Sequence, residues 1–424
     1  MMPAVADAPQ TRHLYLTYVL LTFCYFFTAF YRISASVVMP ALALEIGMSG
    51  ALTGFISSLF FYAYAAAQPL GGAFNDRFGP GKVVSAGISI AAAGALCFSL
   101  SSSPVLFALG RFLMGLGMGP MLSGSLVFIG KSAMRYRYTL YAGIILTFGN
   151  MGAVVSVYPL GASIDLWGRR SVFIGLAVVN LVLAAALMLS ARNTPFFHGS
   201  SSPPRIRRGM RQAARYILST PQLSRMLIPW VLIMGSIMAL QGLWAVSWFQ
   251  AAYSITFLTA QGYASFISIG IMVGHFAGGF ILPTASHRRL MIIASTSVYA
   301  VLFLLFWTSM ALTLPVILTA ALGFFLGTMV GISFDHMIAG TNDVSPAGKK
   351  GSVFGVMNIF PFIGAILFQW LTGVGISTFP DGVLSAQAFQ AVFAWVTAVV
   401  FLGALLLFKL PQFFDQEQTQ LSRQ

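Results

Sequence analysis

Acidic side chains are scarce in this chain: nine among 424 residues, against 23 Lys and Arg, for a formal net charge of +14. Charged residues of both signs together make up only 8%, where a soluble domain carries roughly a quarter. With 58% apolar residues and a mean hydropathy of +0.85, an ordinary water-soluble fold is excluded. Cysteine is also scarce. Cys24 and Cys97 both fall in apolar runs, where they read as small packing residues, not as a disulfide or metal pair. No phosphate-binding loop, zinc-ligand spacing, nucleophile elbow or dinucleotide fingerprint stands outside an apolar run. The chain is therefore not expected to be an enzyme, to hold a cofactor or to hydrolyse ATP. Any work it does must draw on an ion gradient or on a solute's own gradient.

What is present is apolar length. Runs of ~20 apolar residues each suffice to cross a bilayer. They predict twelve helical spans: 14–40, 50–72, 83–101, 104–130, 138–163, 170–191, 224–249, 262–284, 290–310, 312–337, 351–375 and 386–408. Residues 1–13 are short and polar, and the run behind them is too long for a cleaved signal segment. With the N-terminus placed in the cytoplasm, nineteen of the 23 basic residues fall on the cytoplasmic side. Arg169 and Arg170 fall outside, and Arg32 and Arg111 lie within spans. This is the positive-inside bias. It predicts a multi-pass protein of the cytoplasmic (inner) membrane with both termini inside. The basic excess is thus a topology signal, with attraction to anionic lipid as its consequence and no nucleic acid implied.

Six spans, a basic stretch and six more spans divide the chain. The expected parts are an N-terminal tail (1–13), a first six-helix half (14–191), a linker (192–223), a second half (224–408) and a C-terminal tail (409–424). The linker holds Arg192, Arg205, Arg207, Arg208, Arg211 and Arg215 among Ser and Pro, and 206–219 is expected to form an amphipathic helix on the inner membrane face. The halves look duplicated. Gly143, Gly152 and Gly161 in span 5 have the nine-residue spacing of Gly355, Gly364 and Gly373 in span 11, at a constant offset of 212.

Two stretches carry a family resemblance. Between spans 2 and 3 stands Gly72-Ala73-Phe74-Asn75-Asp76-Arg77-Phe78-Gly79-Pro80-Gly81-Lys82, read as a tight loop of about ten residues. Span 4 opens with Arg111 followed by the small-residue face of Gly115, Gly117 and Gly119-Pro120. Both resemble signature motifs of the major facilitator superfamily of secondary transporters, with Pro80-Gly81 replacing the usual basic pair. Ser286-His287-Arg288-Arg289 stands where a second copy of the loop belongs, with bases kept and the acid lost. The resemblance implies an all-α membrane fold of twelve helices in two pseudo-symmetric halves. It also implies alternating access, with helices 1, 4, 7 and 10 lining a mid-membrane cavity and 5, 8, 2 and 11 framing it. Gly72, Asp76, Arg77, Gly79 and Lys82 would be gating residues, Asp76 latching beside Gly351-Ser352 when the cytoplasmic side is shut.

Ionisable groups inside a bilayer are costly, so they are where function should show. Arg32 and Arg111 come out at similar depth and favour an anion, which a guanidinium binds bidentately, or else they tie backbone carbonyls. Tyr31, Asn150, Gln241, Trp244 and Asn358 are further substrate-binding candidates, being polar or amphipathic in apolar spans. Asp335, His336 and His275 are the candidates for proton coupling, with Asp335 alternatively in an inner-gate ion pair with Arg288 or Lys349. The expected function is secondary active transport of a small organic anion or anionic chelate with protons, by a monomer. A proton-antiport exporter is the alternative, although span 5 reads Gly149-Asn150-Met151-Gly152-Ala153 without that subfamily's Gly-Pro. A transceptor or assembly scaffold is the third.

Overall fold

A computed structural model describes residues 8–100, 102–192, 194, 206–281, 285–346, 350–380 and 385–412. Among them every regular element is a helix. The order is α1 (Ala8–Ile33), α2 (Ala35–Ile46), α3 (Gly50–Phe78), α4 (Pro80–Leu100), α5 (Pro104–Met118), α6 (Met121–Lys131), α7 (Tyr138–Val155), α8 (Tyr158–Arg192) and α9 (Ile206–Ser219). Then follow α10 (Pro221–Ala239), α11 (Ala245–Tyr253), α12 (Phe257–Phe280), α13 (Ala285–Ala311), α14 (Val316–Asp343), α15 (Lys350–Met357), α16 (Ile359–Ser377) and α17 (Ala386–Leu407). Eleven helical segments are long and apolar enough to span, and the apolar helix Leu140–Val155 is shorter. The long α8 bends through a non-helical Gly168 (φ 75°, ψ 150°), the turn between the expected spans 5 and 6. Helices suit this composition because lipid offers backbone groups no partner outside the segment.

Two expectations need correction. The loop between spans 2 and 3 is a single residue. Gly79, at φ +86°, alone interrupts two helices, because only glycine enters that region without strain and Pro80 is preorganised to start the next helix. The charged residues before it therefore sit on the last turns of α3. Span 5 is not one helix either: it breaks at Ser156-Val157, between α7 and α8.

The chain forms two compact units. One comprises residues up to Arg32 together with Leu59–Ile206, and the other Ile33–Ser58 with Arg207–Gln424. In the first, α4 packs on α5 and α8. Without a hydrophobic drive between helices in lipid, small residues that let backbones approach decide such pairs. In the second unit α12 and α14 approach most intimately: methyl groups on Gly270 and Gly274 would strike the carbonyls of Phe324 and Thr328, and ones on Gly327 and Gly331 those of Ile267 and Ile271. The internal repeat has the same physical form. A methyl on Gly152 would land on the Phe26 carbonyl of span 1, and one on Gly364, 212 residues later, on the Val231 carbonyl of span 7. The helix expected at 206–219 forms as α9. It is docked in the second unit by the Tyr216 hydroxyl, which donates to the Val344 carbonyl, and by buried Ala213 and Ile217.

Candidate functional site

Several spans are discontinuous, and five of the seven predicted substrate-binding residues stand at or beside a break. Span 1 breaks at Ser34, between α1 and α2. Span 4 breaks at Gly119-Pro120, where proline removes a helical donor and crowds the preceding turn. Span 7 carries a π turn over Leu240–Trp244, and span 11 is interrupted at Asn358. Broken helices at membrane depth are tolerated where they line a cavity or meet protein partners.

In the first unit, Arg111 is 1% exposed. Its Nη1 donates to the Tyr31 carbonyl at 2.6 Å, just before the break in span 1, and its guanidinium lies 4.8 Å from the Phe60 ring centre. The Tyr31 hydroxyl accepts from Asn180 Nδ2 at 2.5 Å. Arg111 and Asn180 thus fix the Tyr31 turn from two sides. Arg32, one residue on, is half-buried, and its Nε is enclosed with no hydrogen-bond partner among the described residues. Its charge acts on the hydroxyls of Tyr25 and Tyr64, and Tyr64 also meets Gln68. The two arginines are therefore placed differently: Arg111 is built into the scaffold, while Arg32 has an uncommitted donor in a polar, acid-poor surrounding. Asn150 is half-buried and returns its amide to the Leu146 carbonyl of its own helix at 3.0 Å.

In the second unit, Gln241 and Trp244 sit in the π turn, and both are buried. Gln241 Nε2 donates to Ser268 Oγ at 2.9 Å, and Trp244 Nε1 to Thr372 Oγ1 at 2.9 Å. Gln369 Nε2 donates to the Met238 carbonyl at 3.0 Å. Gln241 Oε1 and Gln369 Oε1 stay buried without a partner among the described residues. Asn358 is half-buried at its helix break.

His275 and Asp335, separate candidates in the sequence, come together across spans 8 and 10. Nδ1 and Oδ1 are 2.8 Å apart, with about a quarter of each side chain exposed (24% and 28%). The bare flank of Gly278 makes room, since a methyl there would sit 2.9 Å from Asp335 Oδ2. His336 points elsewhere: it is 1% exposed, with Nε2 buried and unbonded among the described residues. The expected ion pair of Asp335 with Arg288 is overturned. Arg288 Nε instead pairs with Asp343 Oδ2 at 2.9 Å, with 9% and 22% exposure, because Asp343 ends α14 where the loop base arrives. Lys349, the other suggested partner, lies outside the described residues.

The gating candidates occupy the end of α3 and the start of α4. Asp76 Oδ1 lies 3.7 Å from Lys131 Nζ, both well exposed (65% and 40%). Arg77 lies over Phe78, its guanidinium 5.0 Å from the ring centre. Gly72 faces open space, and Lys82 is half-buried on the first turn of α4. Asn75, quoted in the motif without a role, is fully buried and donates to the Pro120 carbonyl (3.2 Å) and Ser123 Oγ (3.0 Å). It clamps the end of span 2 onto the kink of span 4.

The two ion pairs have opposite polarity. Asp76, on the last turn of α3, faces Lys131 at the end of α6, whereas Arg288, on the first turn of α13, faces Asp343 at the end of α14.

Comparison with known proteins follows this geometry. The profile of the Major Facilitator Superfamily matches residues 21–369. The chain belongs to that superfamily. The expected twelve-helix fold is that of its members, and a multi-pass membrane transporter is what the superfamily comprises. One similar protein is named Probable sulfoacetate transporter SauU, from Cupriavidus necator, 29% identical over 41% of this chain and 40% of that protein. The chain spans less than half the length of the first curated relatives it matches. Another, Probable anion transporter 5 of Arabidopsis thaliana, is 23% identical over 85% of this chain and 86% of its own. Among solved structures, an inward-facing, occupied bacterial homologue of the human lysosomal transporter Spinster superposes with a TM-score of 0.71. It covers 95% of this chain and 97% of its own at 14% identity, a likeness of fold alone.

Proposed function

We propose that this transporter carries a small organic anion across the cytoplasmic membrane by alternating access, together with protons. The observation that carries the reading is Arg32, a half-buried guanidinium on the first span with an enclosed Nε that has no partner among the described residues. A cation in a membrane span is costly unless something offsets it. A carboxylate, sulfonate or phosphate would supply the missing acceptors through the planar donor fork. Arg111 positions the turn that presents Arg32. The anion-transporter names borne by two relatives agree with this chemistry.

The His275–Asp335 pair is the proton carrier in this reading. One added proton converts a net negative pair into a neutral one without breaking its hydrogen bond, so occupancy changes the local field with little rearrangement. The helix ends that carry Asp76 and Arg288 act as gating elements, the basic helix α9 rests on anionic lipid, and both termini face the cytoplasm.

Purified protein in liposomes tests this with labelled sulfoacetate and a series of mono- and dicarboxylates in counterflow. At least one anion should exchange, accumulate further under an inward proton gradient, and fail to exchange in Arg32→Gln. If no organic anion exchanges while lipophilic cations move, and Arg32→Gln is indifferent, the reading is wrong.

A further inference from the structure

A cavity of about 580 Å³ opens between the first turns of span 7 and the last turn of span 12, lined by Ser224, Arg225, Ile228, Pro229, Leu406 and Lys409. It lies wholly within the second unit and away from the transport residues. Two features make it more than a surface groove. Its position is fixed by side chains that hold the backbone beyond α17. Arg225 Nη1 donates to the Lys409 carbonyl at 2.6 Å, Arg289 Nε to Leu410 (2.6 Å) and its Nη2 to Phe408 (3.1 Å), and Gln222 Nε2 to Gln412 (2.9 Å). The chain is thereby pinned so that Lys409 stands beside Arg225. Among the described residues the lining is also charged in one sense only: two exposed cations, a hydroxyl and no carboxylate.

The remaining walls are apolar and continue into the membrane. Ile228 is 60% exposed, and Leu402 and Leu405, on the turns of α17 leading inward, are 50% and 62% exposed. A water-soluble anion would use the cations and leave this track bare. A phospholipid uses both, with its phosphate on Arg225 and Lys409 and an acyl chain along Ile228, Leu402 and Leu405. Basic pockets between spans at the membrane boundary suit such head groups. Pro229 also lacks the N–H that would have bonded the Arg225 carbonyl, which leaves an acceptor at the rim for a head-group hydroxyl. We infer that this cavity is a binding site for one anionic phospholipid, occupied from the leaflet at the open ends of spans 7 and 12. The site is independent of what the protein transports.

Native mass spectrometry of protein extracted from vesicles of equal dioleoyl-phosphatidylglycerol and dioleoyl-phosphatidylcholine tests it. Wild type should retain one phosphatidylglycerol in preference to phosphatidylcholine. Lys409→Gln keeps the Arg225 bond to its backbone carbonyl and should weaken retention about fivefold, and Arg225→Gln/Lys409→Gln roughly thirtyfold, one cation's contribution each. Leu406→Trp fills the groove with both charges intact and should also lose the lipid. Unfolding midpoints of each variant separate lost binding from lost fold, and Lys409→Gln, which removes no structural bond, decides if the double variant does not fold. Equal retention of the two lipids, undiminished binding by Lys409→Gln, or displacement of the lipid by glycerol phosphate at matched concentration overturns the inference, the last in favour of a soluble-anion site.

Discussion

The sharpest consequence of the site geometry is that two arginines in one unit should fail in opposite ways when neutralised. Arg111→Gln removes a charged donor from the Tyr31 carbonyl and a cation from the Phe60 face. A hydrogen bond from a charged group is worth about 1.5–3 kcal/mol, and a desolvated cation–π contact adds about 1–2 kcal/mol. A combined loss of about 2.5–5 kcal/mol lowers the unfolding midpoint by roughly 5–20 °C for a unit of this size. Arg32→Gln removes a guanidinium whose Nε has no partner among the described residues, replacing a charge with a neutral amide inside the membrane. Its midpoint should stay level or rise by a few degrees, since a charge at span depth costs about 2.5–3.5 kcal/mol on insertion scales. A transported anion at 100 times its dissociation constant stabilises wild type by about 2.7 kcal/mol, and without the charged bond the apparent affinity falls about 10- to 100-fold. The ligand response of Arg32→Gln should therefore shrink to about 0.4–1.4 kcal/mol at the same ligand concentration. Tryptophan-fluorescence melts in detergent, with and without an anion series, read both effects. If Arg32→Gln melts as early as Arg111→Gln and responds to anions as fully as wild type, the division of labour between the two arginines is refuted.

Other expectations follow from single contacts. Asp335→Asn keeps a hydrogen-bonding shape opposite His275 and removes the charge, so uptake driven by a proton gradient should fall at least tenfold while counterflow persists; equal loss of both would make the pair structural. In double-mutant cycles, Arg288 and Asp343 should couple by about 1–3 kcal/mol because both are largely buried, whereas exposed Asp76 and Lys131 should couple by less than about 0.5 kcal/mol. Thermal melts of the six single and double variants, with wild type, decide this, and equal coupling in the two pairs would contradict it. Gly152→Ala and Gly364→Ala should each cost about 1–3 kcal/mol because the methyl meets a backbone carbonyl. Gly143→Ala and Gly355→Ala, where the space is open, should be neutral or slightly stabilising in the same melts.

The span pattern was legible because one number, the apolar length needed to cross a bilayer, decides it. The gathering of side chains was not, because it depends on helix rotation and on where helices break. Asp335 and His275 were both marked as costly in a membrane, but only the rotational phase of spans 8 and 10 makes them neighbours. Arg288 was one of two partners suggested for Asp335, with Lys349, whereas its partner is Asp343, the position that the offset seen in the glycines maps from Lys131. The loop at 72–82 was overestimated because its charges suggested water-exposed coil, when helices often carry charge on their last turns and one positive-φ glycine suffices to reverse the chain. Asn75, Asn180 and the tyrosines around Arg32 had no signal beyond being polar in apolar runs.

The opposite polarity of the two ion pairs has a bearing on how this chain can change. Each pair has two attractive settings, and every single reversal between them puts like charges together. A lineage moves from one setting to the other most easily through a neutral residue at one position, tolerating for a time an unpaired partner. That interval is mild for Asp76 and Lys131, which water surrounds, and severe for Arg288 and Asp343, where a solitary charge would be left largely enclosed. Of the two pairs, the first is therefore the one free to drift, and the second is the one in which its present polarity is held.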